Sequence, residues 1–83
     1  MSANFEHYKI FYYVARYGSF TKAAELLYSN QPNITRIIRI LESELGCTLM
    51  RRSNRGITLT EEGERLYRRV AAAFEQIELG EEE

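Results

Sequence analysis

Between Asn30 and Leu45 the chain carries two kinds of residue at a spacing that only a helix sorts onto separate faces. Ile34, Ile37, Ile38, Leu41 and Leu45 recur three and four residues apart and form one apolar stripe. At about 100° per residue, Pro32, Arg36, Arg39 and Ser43 point the other way, with Asn33 and Thr35 on their flanks. The outer face is therefore cationic and rich in hydrogen-bond donors, while the inner face is apolar enough to dock firmly. Asn30 is a good N-cap, and Pro32 lies in the first turn, where a missing N–H costs nothing. An ordinary surface helix shares this pattern, so the flanking chain has to decide what the helix is for.

The flanks are short. With 83 residues the chain holds one small domain and one modest core. Six tyrosines and four phenylalanines supply large apolar contacts for that core. From Phe5 to Tyr17 the residues Phe5, Tyr8, Phe11, Val14 and Ala15 mark a first helix, with Tyr12, Tyr13 and Tyr17 widening its aromatic surface. For Tyr13 and Tyr17, packing in the core is favoured over a place at a partner interface. Met1–Asn4 reads as a loose terminus. Gly18 stops the first helix, and Ser19 caps a second from Phe20 to Leu27. Its alanines, Ala23 and Ala24, let another helix approach closely and cross steeply. Tyr28-Ser29-Asn30 then turns directly into the amphipathic helix. Two short helices joined by a tight turn, the second with a polar outer face, form a helix-turn-helix over about residues 20–39.

Gly46 ends the third helix. Leu49–Arg52 and Ile57–Leu59 read as short strands around the turn Ser53-Asn54-Arg55-Gly56, a hairpin wing over about residues 49–59 with Arg51 and Arg52 on its first strand and Arg55 at its tip. Thr60 caps a last helix, with Glu61 and Glu62 where the helix dipole favours acids, running to about Glu78. Leu66, Val70, Ala73 and Ile77 are spaced as a two-heptad seam, thickened by Phe74. Two readings of that seam stand. It is a solvated helix fraying after Ala72, or the surface on which a second copy pairs; the second is favoured. The expected organisation is a mainly α winged helix-turn-helix over residues 1–59, a linker or dimerisation helix over 60–79, and at 80–83 the start of a linker or the end of a fragment.

The net charge of −1 conceals an uneven distribution. Residues 30–60 hold five arginines and two glutamates, a local net charge of +3, whereas residues 75–83 hold five glutamates and no basic residue. The clustering, not the total, points to nucleic acid. Arginine binds guanine bidentately and asparagine does the same for adenine, so Arg36, Arg39 and Asn33 are capable base readers; Thr35 suits a thymine methyl or a phosphate. Ser19, Thr21 and Lys22 are placed for phosphate contacts, although a merely solvated Lys22 is nearly as good a reading.

Other chemistries are excluded or unsupported. His7 and Cys47 are the sole histidine and cysteine, too few for a structural zinc site or an internal disulfide, and a single cysteine suits a reducing compartment. For Cys47 a buried structural thiol is favoured over a redox switch. There is no nucleophile–base pair, and no glycine-rich phosphate loop; Glu42 and Glu44, two apart on a helix, diverge. No cofactor, metal or enzymatic activity is expected. No apolar run approaches a membrane span and no signal peptide is present, so a cytoplasmic location without a membrane partner is expected.

The ordered set Phe11-x-x-Val14-Ala15, Gly18-Ser19-Phe20-Thr21-x-Ala23-Ala24-x-x-Leu27, Gln31-Pro32, Ile38-Arg39-x-Leu41-Glu42-x-x-Leu45-Gly46, Leu49, Arg52, Arg55-Gly56 and Leu59-Thr60-x-x-Gly63 resembles the N-terminal DNA-binding domain of the LysR-type transcriptional regulators. The resemblance covers residues 5 to about 78. It implies a winged helix-turn-helix whose linker helix pairs antiparallel with that of a second copy, and a bacterial regulator that binds a pseudo-palindromic site in double-stranded DNA. It also implies a larger effector-binding domain for a small molecule, absent here, so the chain is either a piece of a longer protein or a stand-alone domain, the first being favoured. By position, Gln31, Pro32, Asn33, Thr35, Arg36 and Arg39 would face the major groove and Arg55 would enter the minor groove, with Arg52 among the DNA-binding residues. Asn33, Thr35, Met50 and, more mildly, Ile37 depart from the family's usual residues, so base preference is not transferable. The competing reading is a protein-interaction domain on the same fold, to which the acidic tail lends support; steep weakening of DNA binding by salt separates the two.

Overall fold

The computed structural model describes residues 5–82, which leaves the expected loose terminus at 1–4 outside the description. It contains α1 (Phe5–Tyr17), α2 (Phe20–Leu26), α3 (Gln31–Leu45), β1 (Met50–Ser53), β2 (Gly56–Leu59) and α4 (Glu61–Glu82). This is a winged helix-turn-helix with a long C-terminal helix. The first three helices pack around Phe11, Val14, Ile34 and Leu41, all fully buried. Ala23 and Ala24 are buried where the helices meet, as small residues at a close crossing should be. Among the described residues, no helix is long and apolar enough to cross a membrane.

Local chemistry places the helix ends. The Ser19 hydroxyl accepts the Lys22 N–H at 3.0 Å, and Asn30 Oδ1 accepts the Asn33 N–H at 2.9 Å, so each caps its helix. Gly46, at φ +73°, supplies the left-handed residue that closes α3. Leu45, expected on the buried stripe, is instead 41% exposed in the last turn, and Leu49, beyond the helix, is fully buried. The chain between them is fastened by Glu42: its carbonyl accepts the Gly46 and Cys47 N–H groups, and its carboxylate accepts the Leu49 N–H at 2.8 Å. Cys47 is half-buried against the core.

The hairpin is antiparallel, with Met50 opposite Leu59 and Ser53 opposite Gly56, which leaves Asn54 and Arg55 as a two-residue tip. Both strands lie about one residue from the expected limits. The left-handed step falls on Gly56, at φ +113°. Thr60 joins wing to α4 in three ways: its N–H donates to the Leu49 carbonyl, its hydroxyl donates to the Thr48 carbonyl at 2.6 Å, and the same oxygen accepts the Gly63 N–H.

The seam on α4 needs a correction. Val70 is only 8% exposed, Leu66 packs against the core, and Phe74 stacks on Tyr12 with ring centroids 4.8 Å apart and contacts Phe5 at 5.3 Å. Tyr67 stacks on Tyr12 as well. These residues find their partners on α1 of their own chain. Ala73, Ile77 and Leu79 stay exposed. α4 continues through Gly80 to Glu82, past the expected end near Glu78. Tyr13 packs against the core as expected, while Tyr17 is exposed and lies 5.8 Å from the Arg16 guanidinium.

Candidate nucleic-acid interface

The apolar stripe of α3 is pressed inward, so the residues opposite it have to face solvent. Gln31, Pro32, Thr35, Arg36 and Arg39, with Ile40 as an apolar floor, line one shallow open hollow. Its far wall is Arg52, from the first strand of the wing. The arginine is held there by Phe20, whose ring lies 4.2 Å beneath the guanidinium carbon. Such stacking leaves the in-plane N–H groups free to bind an anion or a base edge. Phe20 is a core residue at the start of α2, so the stack ties wing, helix-turn-helix and hollow together.

A second hollow lies beside the first and shares Arg52. Ser19 and Thr21, at the start of α2, line it with Ser53 and Gly56 of the wing. The Ser19 oxygen accepts the cap bond, which leaves its own hydroxyl hydrogen free to donate outward. Lys22 is exposed on the same turn, and Arg55 is exposed at the wing tip, where its backbone N–H donates to Ser53 Oγ at 3.2 Å. Neither side chain lines either hollow.

Asn33 is placed differently. It lines a third hollow, between α1 and the α2–α3 turn, together with Tyr28 and Ser29. Its Nδ2 donates to Ser29 Oγ at 3.0 Å and its Oδ1 accepts from Arg36 Nη2 at 2.8 Å. One end of the amide is thus engaged by the α2–α3 turn and the other by Arg36, while Asn33 itself does not line the cationic hollow.

The charge is concentrated accordingly. Arg36, Arg39, Arg51, Arg52 and Arg55 are all exposed, on α3 and the wing. Glu42, the nearest acid on α3, is turned to the Leu49 N–H. On α4 the Arg65–Glu61 pair, at 2.9 Å, is an exposed i,i+4 bridge worth at most a few tenths of a kcal/mol. The Tyr12 hydroxyl accepts from Arg16 at 2.6 Å, which raises the pKa of a guanidinium that is charged in any case.

Sequence spacing alone brings out the face of α3. It does not bring out the Arg52–Phe20 stack, because Phe20 lies on an apolar stripe and Arg52 on a strand 32 positions away in sequence.

Comparison with known proteins bears on the family and the fold. Residues 5–64 match the model of the bacterial regulatory helix-turn-helix proteins of the lysR family. The HTH-type transcriptional regulator CrgA of Neisseria meningitidis is 36% identical over 83 residues, all of this chain and 28% of that protein. The structure of the CbnR_DBD–DNA complex has a TM-score of 0.83 and 35% identity, covering 96% of this chain and 92% of that one. That of the BenM_DBD/catB site 1 DNA complex has a TM-score of 0.86 and 34% identity, covering 93% and 86%. The chain thus spans about a quarter of the length of the full-length regulators it matches.

Proposed function

This chain belongs to the lysR family of bacterial regulatory helix-turn-helix proteins, and we propose that it binds double-stranded DNA sequence-specifically, with α3 in the major groove and the wing in the adjacent minor groove. The observation that carries the proposal is the convergence of Gln31, Pro32, Thr35, Arg36 and Arg39 with Arg52 on one cationic hollow. α3 combines a donor-rich outer face with an inner one docked through Ile34, Ile37, Ile38 and Leu41, which is what a reading helix requires. Arg36 and Arg39 are the base readers, each suited to the O6 and N7 of a guanine. Arg52, Ser19, Thr21 and Lys22 hold phosphates and set the register. Arg55, at the end of a two-residue tip, reaches the minor groove, where a narrow A·T-rich segment has the most negative potential. Homologues that are transcriptional regulators, and DNA complexes of closely similar folds at about one-third identity, support the same reading.

The binding unit is a homodimer. α4 extends beyond the core, and its exposed residues Ala73 and Ile77, four apart on one face, give a second copy an apolar edge to cover. Two-fold pairing places the two reading helices on inverted half-sites, so the operator is pseudo-palindromic. The protein works in the cytoplasm of a bacterium as a regulator of transcription rather than an enzyme, and the small-molecule effector is sensed by the part of the regulator beyond this domain.

Anisotropy titrations against a random-sequence duplex and a duplex selected from a random pool test the proposal. Selected DNA should bind at least about 10³-fold more tightly than random DNA. Both affinities should fall linearly with the logarithm of salt concentration. Binding that is weak and insensitive to salt would favour a protein-interaction domain instead.

A further inference from the structure

Asn33 sits on the reading helix, yet its side chain is spoken for in the free protein. The chemistry of its partners orients it. Arg36 can only donate, so it must face Oδ1; Nδ2 is then left to meet the Ser29 oxygen. Ser29 is fixed in turn, because its backbone N–H donates to the carbonyl of buried Ala24 at 2.8 Å. A left-handed residue, Tyr28 at φ +54°, swings the turn so that Ser29 comes back over the end of α2. The Asn33 backbone is also held, through the cap bond to Asn30. A continuous relay therefore runs from the core at Ala24, through Ser29 and Asn33, to the Arg36 guanidinium.

Bidentate reading of adenine needs both ends of an asparagine amide. Each end of the Asn33 amide already holds one bond, to Ser29 and to Arg36, so a bidentate base contact would have to displace these partners or share the amide with them, and Asn33 lines a hollow beside α1 that Arg39 and Arg52 do not line. We propose that Asn33 is a positioning residue. It contacts no base, and it holds Arg36 in the orientation in which Arg36 addresses the DNA. The inference rests on the DNA-binding reading above. An arginine held in advance loses less side-chain freedom on binding, and the bond to Oδ1 uses one Nη2 hydrogen while leaving the other donors of the fork free.

The test compares wild type, Asn33→Ala, Arg36→Ala and the double variant on a panel of duplexes in which each base pair of a selected site is changed in turn. Asn33→Ala should lose discrimination at the same base pair as Arg36→Ala, by roughly 2- to 12-fold, the range that freezing one long side chain covers. It should lose nothing further in the Arg36→Ala background. Asn33→Asp keeps an acceptor for Arg36, so it should retain that discrimination even as its negative charge lowers affinity for all DNA. A loss at a different base pair, additive with Arg36→Ala, would make Asn33 a direct reader and overturn the proposal; so would unchanged discrimination at every position. The free protein provides an arm independent of DNA. Nitrogen-15 relaxation of the Arg36 guanidinium should show faster motion in Asn33→Ala and in Ser29→Ala, while circular dichroism confirms that both variants stay folded. Unchanged Arg36 motion would refute the relay. If the wild-type chain made no distinction between DNA sequences, the DNA-binding reading would fail, and Arg36 motion alone would decide whether the relay exists.

Discussion

Replacing Gly63 with alanine sets two effects of opposite sign against each other. In an exposed helix interior the substitution gains about 1 kcal/mol from propensity. Here a Cβ on Gly63 would lie 1.9 Å from the Leu49 carbonyl oxygen and 2.9 Å from its carbon. Ordinary carbon–oxygen contacts begin near about 3.3 Å, so α4 has to retreat from Leu49 by more than ~1 Å. That retreat breaks the Thr60 N–H bond to Leu49 and the Thr60 hydroxyl bond to Thr48, which hold the start of α4 to the wing. Two hydrogen bonds at about 1 kcal/mol each, with about 1–3 kcal/mol for overpacking and the propensity gain set against them, give a net destabilisation of about 2–4 kcal/mol. For a domain of this size the melting temperature should drop by roughly 10–30 °C. Gly80→Ala is the internal control, because it lies in the same helix with nothing within 4 Å of its Cβ. It should be neutral or stabilising by up to ~1 kcal/mol. Urea melts followed by circular dichroism compare the two. A Gly63→Ala protein as stable as Gly80→Ala would refute the close approach of α4 to Leu49.

Arg36→Ala and Arg39→Ala should each cost about 1–3 kcal/mol on a selected duplex and relax preference at one base pair, read by anisotropy titration. Arg55→Ala should lose affinity mainly for sites with A·T-rich flanks, and equal losses on G·C-rich flanks would indicate a plain phosphate contact. Ile77→Glu, on the exposed edge of α4 at 44% exposure, should abolish dimers in sedimentation and weaken a paired site far more than a half-site. Val70→Glu is no clean test of pairing, because Val70 is buried and an unpaired carboxylate there unfolds the domain. An Ile77→Glu protein that stayed dimeric would remove this edge of α4 from the interface.

How much of this was legible in the sequence follows from the range of each interaction. Caps and stops act within a few residues. Asn30, Ser19, Thr60 and the left-handed Gly18 and Gly46 therefore mark the helix boundaries correctly from local chemistry. The face of α3 is legible because helical geometry alone separates Arg36 and Arg39 from the isoleucines. What the pattern misses is long-range or directional. The spacing of Leu66, Val70 and Phe74 shows an apolar face but not what covers it, and α1 covers it through Phe5 and Tyr12. Asn33 shares the polar flank with Thr35, and only the direction of its amide separates it from the hollow. In the sequence Glu42 is only an acid that diverges from Glu44; the returning chain is what brings the Leu49 N–H to it. Gly63 appears in the sequence only as the end of the motif Leu59-Thr60-x-x-Gly63, and it takes the fold to show that a backbone carbonyl 14 positions earlier forbids a side chain there.

The claim that α3 and the wing form one DNA-reading face is tested most directly by following backbone amide resonances while a selected duplex is titrated into the labelled protein. The largest shifts should fall on residues 31–39, on Ser19 to Lys22 at the start of α2, and on Arg52 to Gly56 of the wing, with residues 8–15 of α1 little changed. Shifts concentrated instead on α1 or on the exposed face of α4, with Gln31 to Arg39 unmoved, would contradict it.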